Sequence, residues 1–210
     1  MPVTYPGRAA DQTYKTIEVS SIKRLSNRWQ LVASYSATKK HRPIGAIGLA
    51  SSSGFGTASP TFSPDGSEAL FLTPNNEINS ADNTWEWDGK VSGTYIFPAD
   101  VLVSASFHHE SGDPFARQVN FRGGETIPSI VLSVTPIGAY RRPNLNVTTL
   151  KAEKRFPLAR AQAATVTFSV YNLLNANTAT GLQNRSGDEF LRPRAIMPPR
   201  LAEFSLQYRF

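Results

Sequence analysis

The chain has 210 residues, no cysteine, 22 Lys+Arg against 16 Asp+Glu, a hydrophobic fraction of 40% and a formal charge of +6. A mean hydropathy of -0.29, with no apolar run near the roughly 18 residues of a spanning helix, excludes a helical membrane protein. It does not exclude a transmembrane β-barrel, whose strands alternate apolar and polar residues. Without cysteine there is no disulfide, thiolate nucleophile or Cys-ligated metal. The basic residues are dispersed as Lys23-Arg24, Lys39-Lys40, Arg141-Arg142 and Lys154-Arg155, so the pI of about 9.7 does not mark a nucleic-acid partner.

Helical periodicity is hard to find, whereas period-2 alternation recurs, with β-branched and aromatic residues in the segments and Gly, Pro, Asn, Asp and Ser between them. The chain therefore reads as all-β. Residues 13–24 and 28–39 flank a turn at Leu25-Ser26-Asn27, and Trp29, Leu31, Ala33 and Tyr35 share a face of the second strand. A long polar stretch, 40–83, holds Phe55, Phe62 and Phe71 amid Gly, Ser and Pro, which either contact a ligand or pack the loop on itself. From Thr84 to Phe97 the strand sets Trp85, Trp87, Val91, Tyr95 and Phe97 against Glu86, Asp88, Lys90, Ser92 and Thr94. This run is longer than the roughly 9 to 11 residues that a tilted strand needs to cross hydrocarbon. After Pro98-Ala99-Asp100, Val101, Val103, Ala105 and Phe107 face one way. Segments 144–156 and 163–173 flank a turn at 157–162, and 201–210 closes the chain with Ala202, Phe204, Leu206, Tyr208 and Phe210 alternating with Glu203, Ser205, Gln207 and Arg209.

Tight turns (25–27, 98–100, 157–162) alternate with long connections (40–83, 112–143, 174–198). Loops beyond about 12 to 15 residues count against a compact soluble domain, whereas transmembrane barrels pair short periplasmic turns with long outer loops. The expectation is an antiparallel transmembrane β-barrel of about seven to eight strands here. An odd count, in a class that is normally even, is repaired by strands upstream.

His108-His109-Glu110 sends His108 and Glu110 to one face and His109 to the other, so at most two ligands converge and no metal site is expected. Ser111, His109 and Asp113 are too close along an extended chain for a catalytic relay, and no catalytic residue or cofactor is expected. Glu86, Asp88 and Lys90, with Glu203, Gln207 and Arg209, are the candidates for a water-filled lumen. Trp85 and Trp87 fit an interfacial aromatic belt.

The closing block carries a family resemblance. Tyr171-Asn172-Leu173-Leu174-Asn175, then a loop with Phe190 and Pro193, then Pro198-Pro199-Arg200 and a final strand ending in Phe210, resembles the end of TonB-dependent outer-membrane receptors, especially those with a carboxypeptidase-regulatory-like domain before the plug. Lys23-Arg24-Leu25-Ser26-Asn27-Arg28-Trp29-Gln30 is similar to their periplasmic turn, and Ser111-Gly112-Asp113-Pro114-Phe115 to a loop that follows a lumen strand. The resemblance implies the C-terminal part of a 22-stranded barrel in the cell outer membrane, whose plug and N-terminal strands lie outside this sequence. It implies a non-enzymatic transporter of a scarce small-molecule, sugar or peptide ligand, coupled to the TonB energy complex through that plug. Phe204, Leu206, Tyr208 and Phe210 would then form the signal read by the barrel-assembly machinery, and outer-membrane lipid would surround the apolar face. The competing expectations are a self-contained small outer-membrane barrel, with an eighth strand from Gln118 to Phe121 or Ile130 to Val134, and a soluble carbohydrate-binding β-sandwich.

Overall fold

The computed structural model describes residues 13–42, 79, 81–123, 127–158 and 162–210. Phe55, Phe62 and Phe71 lie outside them. Seven long segments form one antiparallel sheet: β1 (Thr13–Ser26), β2 (Trp29–His41), β3 (Trp85–Phe97), β4 (Val101–Glu110), β9 (Leu145–Pro157), β10 (Ala163–Tyr171) and β13 (Leu201–Arg209). Their spatial order is their chain order, so each pairs with the long strands before and after it. The all-β, antiparallel reading is therefore shown, and the seven amphipathic segments of the sequence coincide with these strands to within a few residues. No closed barrel forms among the described residues, where β1 and β13 are each paired along one side only.

The pleat and a register that is continuous from β2 to β13 make one face of the sheet mainly apolar and the other mainly polar. One row runs Trp29, Tyr95, Val103, Ala152, Phe168 and Phe204 from β2 to β13. The row above it on the other face runs Gln30, Thr94, Ser104, Lys151, Ser169 and Glu203. The apolar side is left uncovered: Ile17, Val19, Tyr35, Val91, Phe168, Phe204 and Leu206 are all exposed. Among the described residues the buried apolar side chains are only Ala116, Ala163, Val170 and Met197, so the sheet has no second layer packed against it. Gly89 and Gly93 leave notches on this face that Tyr35 and Leu31 of β2 fill from the opposite positions.

Short links sit at one end of the sheet. Asn27 (φ 51°) and Arg28 (φ 68°) form the two-residue link between β1 and β2, both in the left-handed region that suits a type I′ hairpin. The sequence reading placed this turn at 25–27; the structure carries β1 on to Ser26, which pairs with Trp29. Pro98–Asp100 reverses the chain between β3 and β4, with Ala99 (φ 64°) and Asp100 (φ 57°) left-handed. The described parts of the 112–143 and 174–198 connections sit at the other end and form small elements of their own. β5 (Pro114–Phe115) pairs with β8 (Tyr140–Arg141), β6 (Gln118–Gly123) with β7 (Ile127–Ser133), and β11 (Ala179–Leu182) with β12 (Pro193–Ile196). The two segments considered for an eighth long strand are thus β6 and β7. They pair with one another, not with the sheet, because each is too short to cross it.

Arg28→Gly gives the first hairpin the residue that a left-handed second position prefers. It should stabilise the fold by about 1 kcal/mol, read from the unfolding midpoint in detergent, whereas Asn27→Val should lower the midpoint.

Candidate functional site

The rim where the polar face meets the long connections is the most densely networked part of the molecule. Period 2 places Glu86, Asp88 and Lys90 of β3 on that face, and the register sets them beside Thr38, Ser36 and Ser34 of β2 and, for the last two, Glu110 and His108 of β4. Lys40 pairs with Glu86. Asp88 Oδ2 lies 2.5 Å from His108 Nε2, and Asp88 Oδ1 lies 3.1 Å from Lys90 Nζ. Glu110 is directly opposite Asp88, and a ligating atom from each of Asp88, His108 and Glu110 falls within 4.8 Å of the others. The expectation that at most two ligands converge is corrected here, because the third comes from the neighbouring strand.

His109 points to the other face and is fully engaged. Its Nε2 accepts from Trp87 Nε1 at 3.0 Å, and Nδ1, which then carries the ring proton, donates to Asn146 Oδ1 at 2.7 Å. Both ring nitrogens are thus engaged elsewhere, which removes His109 from any relay with Ser111 and Asp113. Ser111 Oγ instead accepts from the Trp87 backbone N–H at 3.1 Å, and Asp113 pairs with Arg142 at 2.8 Å.

The connections above this rim lock together. A Cβ on Gly112 would lie 1.8 Å from the Arg142 carbonyl oxygen, so only glycine permits that approach. Arg141 donates to the carbonyls of Gly112 (2.7 Å) and Trp85 (2.5 Å), and its guanidinium lies 5.0 Å from the Trp87 ring. Phe115 stacks on Tyr140, Tyr140 meets Phe190 edge-on at 5.0 Å, and Arg117 sits 5.0 Å from that Phe190 ring. Gln118 bridges to Arg185, tying β6 to the last long connection.

The Tyr171–Asn175 motif has a structural account. Asn172 is buried with φ 50°; its Nδ2 donates to Ala176 O and Pro198 O, both at 2.9 Å, and its Oδ1 accepts from Ala176 N at 2.8 Å. Asn175 (φ 53°) accepts from Arg200 N at 3.0 Å. The two asparagines thereby close the base of the 172–200 connection against the start of β13.

Of the lumen candidates, Glu86, Asp88 and Lys90 fall in this network, while Glu203, Gln207 and Arg209 share the face but belong to β13, four strands away, about 19 Å at the usual strand spacing. Glu203 lies 3.5 Å from the Tyr171 hydroxyl, which donates to it, and Arg209 stands at the short-turn end opposite Ala163. Phe204, Leu206, Tyr208 and Phe210 are exposed on the apolar side, with Tyr208 stacked on Phe210. Comparison with models of known families, with curated proteins and with solved structures finds no match for this chain.

Asn172→Ala removes three hydrogen bonds and places alanine at a left-handed position. It should cost about 3 kcal/mol in an unfolding titration, and Asn172→Gly, which relieves only the backbone strain, should cost less.

Proposed function

We propose that this chain is part of the wall of an outer-membrane transporter of the TonB-dependent type, lying at the C-terminal end of a larger barrel. The observation that carries the reading is the seven-stranded sheet itself, apolar and uncovered on one face and polar on the other. Such a sheet in water exposes Phe168, Phe204, Leu206 and their neighbours without compensation, while lipid against that face and water against the other satisfies both. An open groove of about 640 Å³ on the apolar side, walled by Trp29, Tyr95, Phe97 and Phe107, has the dimensions and lining for acyl chains. Turns at one end and elaborated connections at the other match the usual asymmetry between the periplasmic and outer sides. A soluble sandwich needs a facing sheet, and among the described residues there is none.

In this reading the edges of β1 and β13 pair with further strands of the same barrel, because unpaired N–H and C=O groups in hydrocarbon cost several kcal/mol each. Glu86, Asp88, Lys90, Glu203, Gln207 and Arg209 line the lumen, where water or a plug solvates them. Phe204, Leu206, Tyr208 and Phe210 form the strand presented to the assembly machinery. The rim network and the packed connections above it meet the ligand, a small molecule, sugar or peptide, and energy enters from the TonB complex through a plug. Recognition and gated passage are the work, with no bond made or broken.

Adjacent positions of β10 test this directly. Phe168→Arg puts a charge on the lipid side and should cost about 3 kcal/mol of folding in bilayers, whereas Thr167→Arg, one residue away on the lumen side, should cost under about 1 kcal/mol. Equal effects, or a chain that partitions into the aqueous phase without detergent, would overturn the proposal.

A further inference from the structure

We propose that Asp88, His108 and Glu110 form a binding site for one divalent transition-metal cation at the rim of the polar face. Two ligands spaced i, i+2 on β4 point the same way, and the residue directly opposite Glu110 on β3 supplies the third. The ladder between these strands is continuous from Asp88 to Phe97, so the three side chains are held by backbone pairing and not by a loop. One ligating atom from each lies within 4.8 Å of the rest. Bonds of about 2.0 to 2.1 Å to a tetrahedral ion place such atoms about 3.3 Å apart, a distance that side-chain torsions at this partly exposed rim can close.

The partners of each group point the same way. His108 Nε2 is aimed at the Asp88 carboxylate, 2.5 Å away, the position in which a cation replaces the shared proton. Asp88 already attracts Lys90 at 3.1 Å, so it has a cation beside it that a metal would displace. The Glu110 side chain makes no ion pair or hydrogen bond among the described residues, which leaves its carboxylate available. An opening of about 350 Å³, lined by Ser36, Lys40, Glu86, Asp88, Glu110 and Asp113, with Lys40 held by Glu86, has room for the waters that complete the coordination. One imidazole nitrogen with two carboxylate oxygens suits zinc or a similar borderline ion. Calcium needs 6 to 8 oxygens, and softer ions need sulfur.

This inference needs only the β3–β4 register and stands apart from the transport reading. The experiment is a titration of the full chain in detergent with Co²⁺, followed by its visible absorption, with Zn²⁺ added as competitor. The expected result is one tetrahedral Co²⁺ per chain, displaced by Zn²⁺. His108→Ala should abolish the band, and Glu110→Gln should weaken binding at least tenfold. Lys90→Met, which removes the competing ammonium, should tighten binding several-fold, an effect of opposite sign that loss of structure cannot imitate. His41→Ala, at the end of β2, should leave binding unchanged. Circular dichroism of each variant verifies the sheet. No band with the unsubstituted chain, or a band that survives His108→Ala, would overturn the assignment.

Discussion

Everything in this molecule depends on the pleat of one antiparallel sheet, which sends alternate side chains to opposite faces, and on a register that keeps one face mainly apolar and the other mainly polar. Between β1 and β13 the long strands pair residue by residue, and the one irregularity among them, a one-residue shift in β1 between Lys23 and Ser26, falls beside the Asn27–Arg28 turn and leaves the rest of the ladder in step. A one-residue slip anywhere would carry Glu86, Asp88 and Lys90 into the company of Val19, Tyr35 and Phe107. Among the described residues few apolar side chains are buried, so little of the stability of this sheet comes from packing around an interior. Hydrogen-bonded ladders hold it together, and what lies against its apolar side is part of its energetics.

The two ends of the sheet differ in kind. At the short-turn end, left-handed residues at 27–28 and 99–100 reverse the chain with little decoration, and Lys23 lies over the Trp29 ring at 3.8 Å. At the far end, arginine and aromatic contacts join Phe115, Arg117, Tyr140 and Phe190, while Arg141 spans from the 112–143 connection to the carbonyl of Trp85. The described parts of the 112–143 and 174–198 connections are therefore packed against one another and tied to the sheet. A polar rim crowded with Lys40, Glu86, Asp88, His108 and Glu110 sits at their base.

The long strands were legible in the sequence because period 2 is a local signal that each strand repeats, as in Trp85–Phe97 and Leu201–Arg209. The faces of Glu86, Asp88, Glu203 and Gln207 followed from the same count. What lay beyond the sequence depended on pairing between strands. His108 and Glu110 showed their shared face, but Asp88 joins them only through the register of β3 with β4. Asn172 and Asn175 stood out as a motif, yet their roles rest on Pro198 and Arg200, over twenty residues later, which no periodicity links. The turn at 27–28 was displaced because Ser26 looks like a turn residue and is held in the ladder by Trp29. The small strands β5, β8, β11 and β12 are too short to carry any alternation at all.

The central claim is that one face of this sheet meets lipid and the other meets water, and the absence of native cysteine makes it directly measurable. Single cysteines introduced as Val91→Cys, Ser92→Cys, Thr94→Cys and Tyr95→Cys in β3, in chain reconstituted into lipid vesicles, would be exposed to a water-soluble thiol reagent. The account predicts labelling at 92 and 94 and protection at 91 and 95. Equal labelling on both faces, or recovery of the chain in the aqueous fraction, would contradict it.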